Sequence, residues 1–253
     1  MQLNQVKALV TGGVSGLGLA TVKYILENGG NAVMLDVNDE AGAAAAAETG
    51  ARYLNTDVTS EEKVIESARQ AAETMGGLNA AVNCAGIIGA GRVLGREAPM
   101  PLSVFSTTIN INLVGSFNVA KAAADLMQHN EAGEDGEKGV IINTASVAAY
   151  EGQIGQAAYS ASKAGLVGMT LPMARELSRF GIRVVTIAPG IFWTPMVDGM
   201  PEHIQESLSA SIPFPSRLGR PEEFAELAGT ILQSIYMNGT TIRLDGAVRL
   251  APK

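Results

Sequence analysis

Val6-Lys7-Ala8-Leu9-Val10-Thr11-Gly12-Gly13-Val14-Ser15-Gly16-Leu17-Gly18 is the stretch whose reading decides the fold. Its apolar run, Val6–Thr11, predicts a strand, and the residues after the glycines predict a helix to about Glu27. Between them the glycines allow a tight turn and a close backbone approach. A pyrophosphate placed there would meet the positive end of the helix. Three residues separate Gly12 from Gly16 and one separates Gly16 from Gly18, unlike the G-x-G-x-x-G of many dinucleotide sites. Such a turn can also do no more than reverse the chain. Its place between a strand and a helix favours a dinucleotide cradle.

The same alternation continues outward. Strands are predicted at Asn31–Asp36, Ala51–Asn55, Ala80–Asn83, Gly139–Ser146, Arg183–Ala188 and Thr240–Leu244. Helices are predicted at Ala41–Thr49, from about Ser60 to Met75, from about Leu102 to His129, through Tyr159 to about Arg179, and at Pro221–Gln233. Strands alternating with helices imply a single-domain α/β fold, a Rossmann-like doubly wound parallel sheet flanked by helices. Phe192–Pro215, rich in Pro, Met and Ser, is expected to be irregular, with a substrate loop at about 191–215. Asn130–Lys138 reads as a solvated loop, so residues 1–253 are expected to form one domain. Asp36 closes the second strand, where a carboxylate can accept hydrogen bonds from adenosine ribose hydroxyls and repel a 2′-phosphate. No Arg or Lys lies in the Gly-rich turn or in Val37–Glu40, which points to NAD rather than NADP, although a solvated strand-end Asp would look the same.

Composition narrows the function. Hydrophobic residues make up 47% of the chain and charged ones 17%, which excludes a disordered protein. A net charge of −7 offers no attraction to nucleic acid or to an anionic membrane. One cysteine, Cys84, leaves no internal disulfide and suits a reducing compartment. With only His129 and His203, neither a histidine triad nor a metal cluster is expected. No stretch reads as a secretory signal or a membrane span, so a cytoplasmic protein is expected, with import into an organelle left open.

The chemistry concentrates at Tyr159-Ser160-Ala161-Ser162-Lys163. Residues four apart share a helix face, so phenol and ammonium would project together. A neighbouring positive charge favours phenolate, and Lys163 is expected to push the Tyr159 pKa below its ordinary value of about 10. That would make Tyr159 a general base near neutral pH. The same pair also occurs on ordinary solvated helix faces.

Thr11-Gly-x-x-x-Gly16-x-Gly18, Asn83-Cys84-Ala85-Gly86, Asn112, Ser146, Tyr159-x-x-x-Lys163 and Pro189-Gly190 together resemble the short-chain dehydrogenase/reductase superfamily over nearly the whole chain. Within it, Gly139–Pro195, Ile212–Gly219 and Ile242–Arg249 are similar to type 2 3-hydroxyacyl-CoA dehydrogenases. The resemblance implies that Gly12, Gly16 and Gly18 hold the pyrophosphate with Ser15 and Leu17. It places Asp57 and Val58 at adenine, where Asp57 could equally be a helix-start residue. Asn83, Ala85 and Gly86 would line the adenosine ribose and the fourth strand. Pro189, Gly190, Phe192 and Thr194 would contact the cofactor beyond the sixth strand. Cys84 replaces the usual second Asn, and a buried free Cys is commonly inert. Tyr159 would take the substrate's hydroxyl proton and Ser146 would hydrogen-bond its oxygen. Lys163 would tune Tyr159 and bind the nicotinamide ribose. Asn112 would bend its helix and hold a water linking Lys163 to solvent, or else mark a packing irregularity before Gly115. The resemblance also implies a homotetramer built through the helices after strands four and five and the last strand. The apolar Ile242–Pro252 stretch would pack either there or internally.

For the substrate, Gln153, Ile154, Gln156 and Phe192–Ile212 are expected to wall a pocket beside Ser146 and Tyr159, suiting an acyl chain with one carbonyl. Trp193 stands where those relatives carry a smaller residue; it either limits acyl length or merely packs. Coenzyme A phosphates need cations, and Arg92 and Arg96 serve unless they are only solvated charges. The relatives carry a longer, Lys-bearing insertion at this loop. Four functions follow: NAD-dependent oxidation of a 3-hydroxyacyl-CoA in fatty-acid or branched-chain breakdown; oxidation of a hydroxysteroid or 3-hydroxybutyrate; reduction of a 3-ketoacyl group, which Asp36 opposes; and a non-catalytic dinucleotide-binding scaffold. The last is opposed by the joint presence of Asn112, Ser146, Tyr159 and Lys163.

Overall fold

Seven short strands, the central ones mostly apolar, lie side by side and all parallel in the order β3-β2-β1-β4-β5-β6-β7. The computed structural model describes residues 1–198 and 202–252, without the side chains of 195, 196, 202 and 204. The strands are β1 (Lys7–Thr11), β2 (Asn31–Asp36), β3 (Arg52–Asn55), β4 (Ala80–Asn83), β5 (Gly139–Thr144), β6 (Ile182–Pro189) and β7 (Thr241–Leu244). The helices are α1 (Gly16–Glu27), α2 (Asp39–Thr49), α3 (Glu61–Met75), α4 (Leu102–Ile109), α5 (Ser116–Met127), α6 (Ala157–Leu177), α7 (Pro195–Asp198), α8 (Glu202–Ala210) and α9 (Pro221–Gln233).

Register explains why the strands carry no polar alternation. Met34, Val10, Val82, Ile142 and Val185 are partners across five strands and enter one core under α1, α2 and α9. One residue earlier, Val33, Leu9, Ala81, Ile141 and Val184 enter a second core under α3, α5 and α6. Both faces of the sheet are covered, as βαβ crossovers require. Two helices, α2 and α3, begin at side-chain caps: Asn38 accepts from Ala41 N at 3.0 Å and Ser60 from Lys63 N at 3.4 Å. On α3, Val64, Ala68 and Ala71 fall on one face and are buried.

Most sequence expectations hold to within a residue or two. The helix expected from Leu102 to His129 is continuous, but a wide π-helical turn, Asn110–Gly115, joins α4 to α5. Gly115 makes room there, because a Cβ would lie 2.5 Å from Val58 Cγ2. The expectation of an irregular Phe192–Pro215 is corrected: it contains α7 and α8. Glu, Gln, Leu and Ala in α8 are good helix formers, and flanking Pro and Ser obscured them. Within Ile242–Pro252, Val248 is fully buried inside the chain, while Arg249, Ala251 and Pro252 are exposed.

Candidate active site

Neighbouring β1 and β4 send the chain to opposite faces of the sheet, and a crevice opens at their carboxyl ends. There a cleft of about 660 Å³ runs from the Gly-rich turn to Tyr159. Thr11 knits its floor: its hydroxyl accepts from Cys84 N at 3.2 Å and Ala85 N at 3.1 Å. Gly12 sits at φ +60°, and a Cβ on it would lie 2.9 Å from Ala85 N. A Cβ on Gly18 would lie 2.1 Å from the Gly12 carbonyl oxygen. These two positions admit only glycine without rearrangement.

At the start of α1, Ser15 makes no side-chain capping bond, in contrast to Asn38 and Ser60. The first amides of α1 therefore keep donors available for an anion. Ser15, Gly16, Leu17 and Gly18 line this end of the cleft, followed by Asp36, Asp57 and Val58. The Asp36 carboxylate is oriented by Val37 N at 2.8 Å and Asn38 N at 3.1 Å. Asp57 is held by Thr59, through N at 2.9 Å and Oγ1 at 2.7 Å, while Ser60 caps α3. Lys163 is the one basic residue among those described that line the cleft. The donor-rich turn and the carboxylate fit a dinucleotide with an unphosphorylated ribose.

At the other end, α6 places Tyr159 and Lys163 one turn apart. Lys163 is buried and donates from Nζ to the Thr144 carbonyl at 2.7 Å. Its Nζ lies 5.7 Å from the centre of the Tyr159 ring. Burial pulls the Lys163 pKa down to about 8. Burial of the phenol raises the Tyr159 pKa, and Ser146 beside it acts in the opposite direction. The expectation that Lys163 lowers the Tyr159 pKa is therefore corrected: burial of the phenol dominates. The ammonium is engaged by the Thr144 carbonyl, and burial eases its loss of a proton. Cys84, at the cleft wall, has its thiol pushed up to about 11 by burial, so it is a poor nucleophile.

Asn112, fully buried in the π-helical turn, stands behind the cleft rather than in it. Its Oδ1 accepts from Ile87 N at 2.8 Å, and its Nδ2 donates to Ile87 O at 2.8 Å and Ser162 Oγ at 3.0 Å. It thus ties the loop after β4 to α6. A Cβ on Gly86 would lie 3.1 Å from Asn112 Oδ1 and 3.5 Å from Lys163 Nζ, so these three converge.

Ala85, Gly86, Ser146, Gln153, Gln156, Pro189, Gly190, Phe192 and Thr194 all line the cleft as expected. The backbone N–H of Gln153 donates to Gln156 Oε1 at 2.9 Å, which holds the Gln156 amide against the chain. Besides Asn112, three expected residues do not line it, among them Ile154, which is 52% exposed. Asn83 is buried beneath, donating to Asn143 Oδ1 at 2.9 Å and Ser116 O at 3.2 Å. Trp193 points outward, 43% exposed, and its backbone N–H donates to Gly219 O at 2.7 Å. Arg92 and Arg96 lie on an exposed hairpin, bridged Leu94 to Pro99, whose base is tied by Gly91 N to Gly155 O at 2.8 Å. The expected Phe192–Ile212 wall supplies Val197 and Leu208, whereas sequence reasoning missed the apolar lining residues Ile88 and Leu250 and gave Thr11 only as the first residue of its motif.

A family model described as short chain dehydrogenase matches residues 6–205. The chain is 49% identical over 97% of its length to the 3-hydroxyacyl-CoA dehydrogenase type-2 of Bos taurus, covering 95% of that protein. It is 48% identical to the Homo sapiens protein of that name, with the same coverage of both chains. The crystal structure of 3-hydroxyacyl-CoA dehydrogenase type-2 from Mycobacterium avium superimposes with a TM-score of 0.95 at 44% identity, covering 100% of this chain and 99% of that one. The chain belongs to the short chain dehydrogenase family.

Proposed function

We propose that the protein oxidises the 3-hydroxyl of a 3-hydroxyacyl-CoA to the 3-ketoacyl-CoA with NAD. The observation that carries this is one continuous cleft: a glycine turn and Asp36 at one end, Ser146, Tyr159 and Lys163 at the other. Bound NAD would supply the hydride acceptor and, on its oxidised ring, a positive charge beside the phenol. The protein's residues do the rest. Ser146 donates to the substrate oxygen and fixes it against Tyr159. Tyr159, as phenolate once its own proton has left by way of Lys163, takes the proton of the substrate 3-hydroxyl as the carbon bearing it loses hydride, a contribution typically worth about 10²–10⁴-fold. Lys163, with a pKa of about 8, can pass a proton and donate to the nicotinamide ribose. Asn112 supports that relay by holding Ile87 and Ser162 in place. Gly12, Ser15, Gly16, Leu17 and Gly18 hold the pyrophosphate, and Asp36 accepts from the ribose hydroxyls. Asp57, Val58, Ala85, Gly86, Pro189, Gly190, Phe192 and Thr194 shape the remaining cofactor surface.

Gln153 and Gln156 face the thioester end, and Arg92 and Arg96 on their hairpin receive coenzyme A phosphates. A homotetramer would cover the exposed Val114 and Phe117 of the helix after β4 and Leu171 of the helix after β5. No described helix is long and apolar enough to cross a membrane, and a cytoplasmic role in fatty-acid breakdown fits the free Cys84. The test is a substrate panel followed by NADH absorbance, with acetoacetyl-CoA in the reverse direction, repeated with NADPH. Turnover of thioesters with a strong NADH preference is expected. Brisk oxidation of a sterol or free hydroxy acid with no thioester turnover would overturn the substrate class, and equal efficiency with NADPH would overturn the cofactor.

A further inference from the structure

We propose that the segment 246–252 is a fixed wall of the substrate pocket, and that Leu250 sets how much chain beyond the reacting carbon the pocket admits. The inference rests on the acyl-CoA reading above. After β7 the chain passes through Gly246 (φ +57°) and Ala247 (φ +67°). Positive φ is uncommon for a residue with a Cβ, so the surroundings hold this turn in place. The Asp245 carboxylate does so by accepting from Ala247 N at 2.9 Å. The turn sends Val248 into an apolar cluster with Val197, Ile212 and Leu218. Leu250 packs on that cluster and also lines the cleft, beside Ile191 and Leu208.

The segment is clasped to the stretch that carries the two amides of the site. Ile154 N donates to Pro252 O at 3.0 Å, and Gln153 Nε2 donates to Ala251 O at 3.0 Å. Arg243 adds a charged clasp: it donates to Glu151 at 3.1 Å, to Asp245 Oδ2 at 2.7 Å and to Val248 O at 3.2 Å, with its guanidinium 5.2 Å from the centre of the Tyr150 ring. Neither Glu151 nor Arg243 lines the cleft, so both are positioning residues. Leu250 is the side chain this framework delivers to the pocket, and a rigid apolar wall discriminates chain length by steric exclusion.

The test is kcat/KM on 3-ketoacyl-CoA thioesters of increasing length with NADH, for wild type, Leu250→Ala and Leu250→Trp. NADH fluorescence titration, expected to be unchanged, shows that each variant is folded. Leu250→Ala is expected to raise the long-to-short efficiency ratio by about five-fold or more, and Leu250→Trp to lower it by a similar factor, within the range that one apolar contact discriminates. Glu151→Gln should raise KM across the series while kcat is retained, a split that general unfolding would not produce. An unchanged ratio in both Leu250 variants would overturn the wall. If wild type turns over no thioester, the acyl-CoA reading fails instead. The variants are then compared on the sterols or free 3-hydroxy acids it does oxidise, where unchanged selectivity overturns the wall.

Discussion

The two ends of the cleft are built by different means. The cofactor end is made of strand termini and the turns directly after them: Thr11–Gly18, Asp36, Thr56–Val58 and Ala85–Gly86 each follow a strand within a few residues. The substrate end collects side chains from α7, α8, the stretch after β5 and the segment after β7. The first is positioned by backbone hydrogen bonds of a sheet with two cores. The second is positioned by side-chain packing among elements distant in sequence. Cofactor chemistry should therefore fail sharply on single changes, and substrate choice should shift gradually.

The largest expected effect lies where the two ends meet. Tyr159→Phe removes only the phenolic oxygen, and kcat is expected to fall by about 10²–10⁴-fold while NADH titrates as in wild type. A variant retaining more than about a tenth of wild-type kcat would refute the role of Tyr159 as base.

A middle-sized effect tests the burial of Lys163. Its folded pKa of about 8 lies below the ordinary 10.5. Below about pH 8 the folded chain bears the full cost of burying the ammonium. Between about pH 8 and 10.5 the folded form is neutral while the unfolded chain still holds the proton, so that cost is relieved and stability rises with pH. Relative to Lys163→Met, wild type is thus expected to gain in Tm as pH rises from 8 toward 10, by a few degrees in scanning fluorimetry. A gap between the two proteins that stays flat from pH 7 to 10 would show the lysine to be solvated.

Legibility in the sequence follows the same division. Strand, turn and motif are local, so the parallel sheet, the Gly-rich turn, Asp36 and the Tyr159/Lys163 spacing could be read directly. The direction of the Tyr159 shift could not, because it depends on burial of the phenol and on Thr144 O, nineteen residues from Lys163, engaging the ammonium. Leu250 joins Gln153 and Leu208 in lining the cleft only in the folded chain, and no periodicity marks it. Trp193 was misplaced for the converse reason: a large aromatic in a pocket-forming stretch carries no sign of which way it points.

That misplacement gives the smallest expected effect. Trp193 is 43% exposed and lies outside the cleft, anchored through its backbone to Gly219. Phe192, next to it, lines the cleft, and Gly219 is packed so closely that a Cβ would lie 2.8 Å from the Phe192 ring. The backbone bond keeps Phe192 in place whatever side chain follows it. Trp193→Ala is therefore expected to change kcat/KM by less than about two-fold for any chain length, within the small effects of surface substitutions. A selectivity change in Trp193→Ala as large as in Leu250→Ala would mean that the substrate reaches past Phe192 to the outer face, and that the pocket extends beyond the wall formed by 246–252.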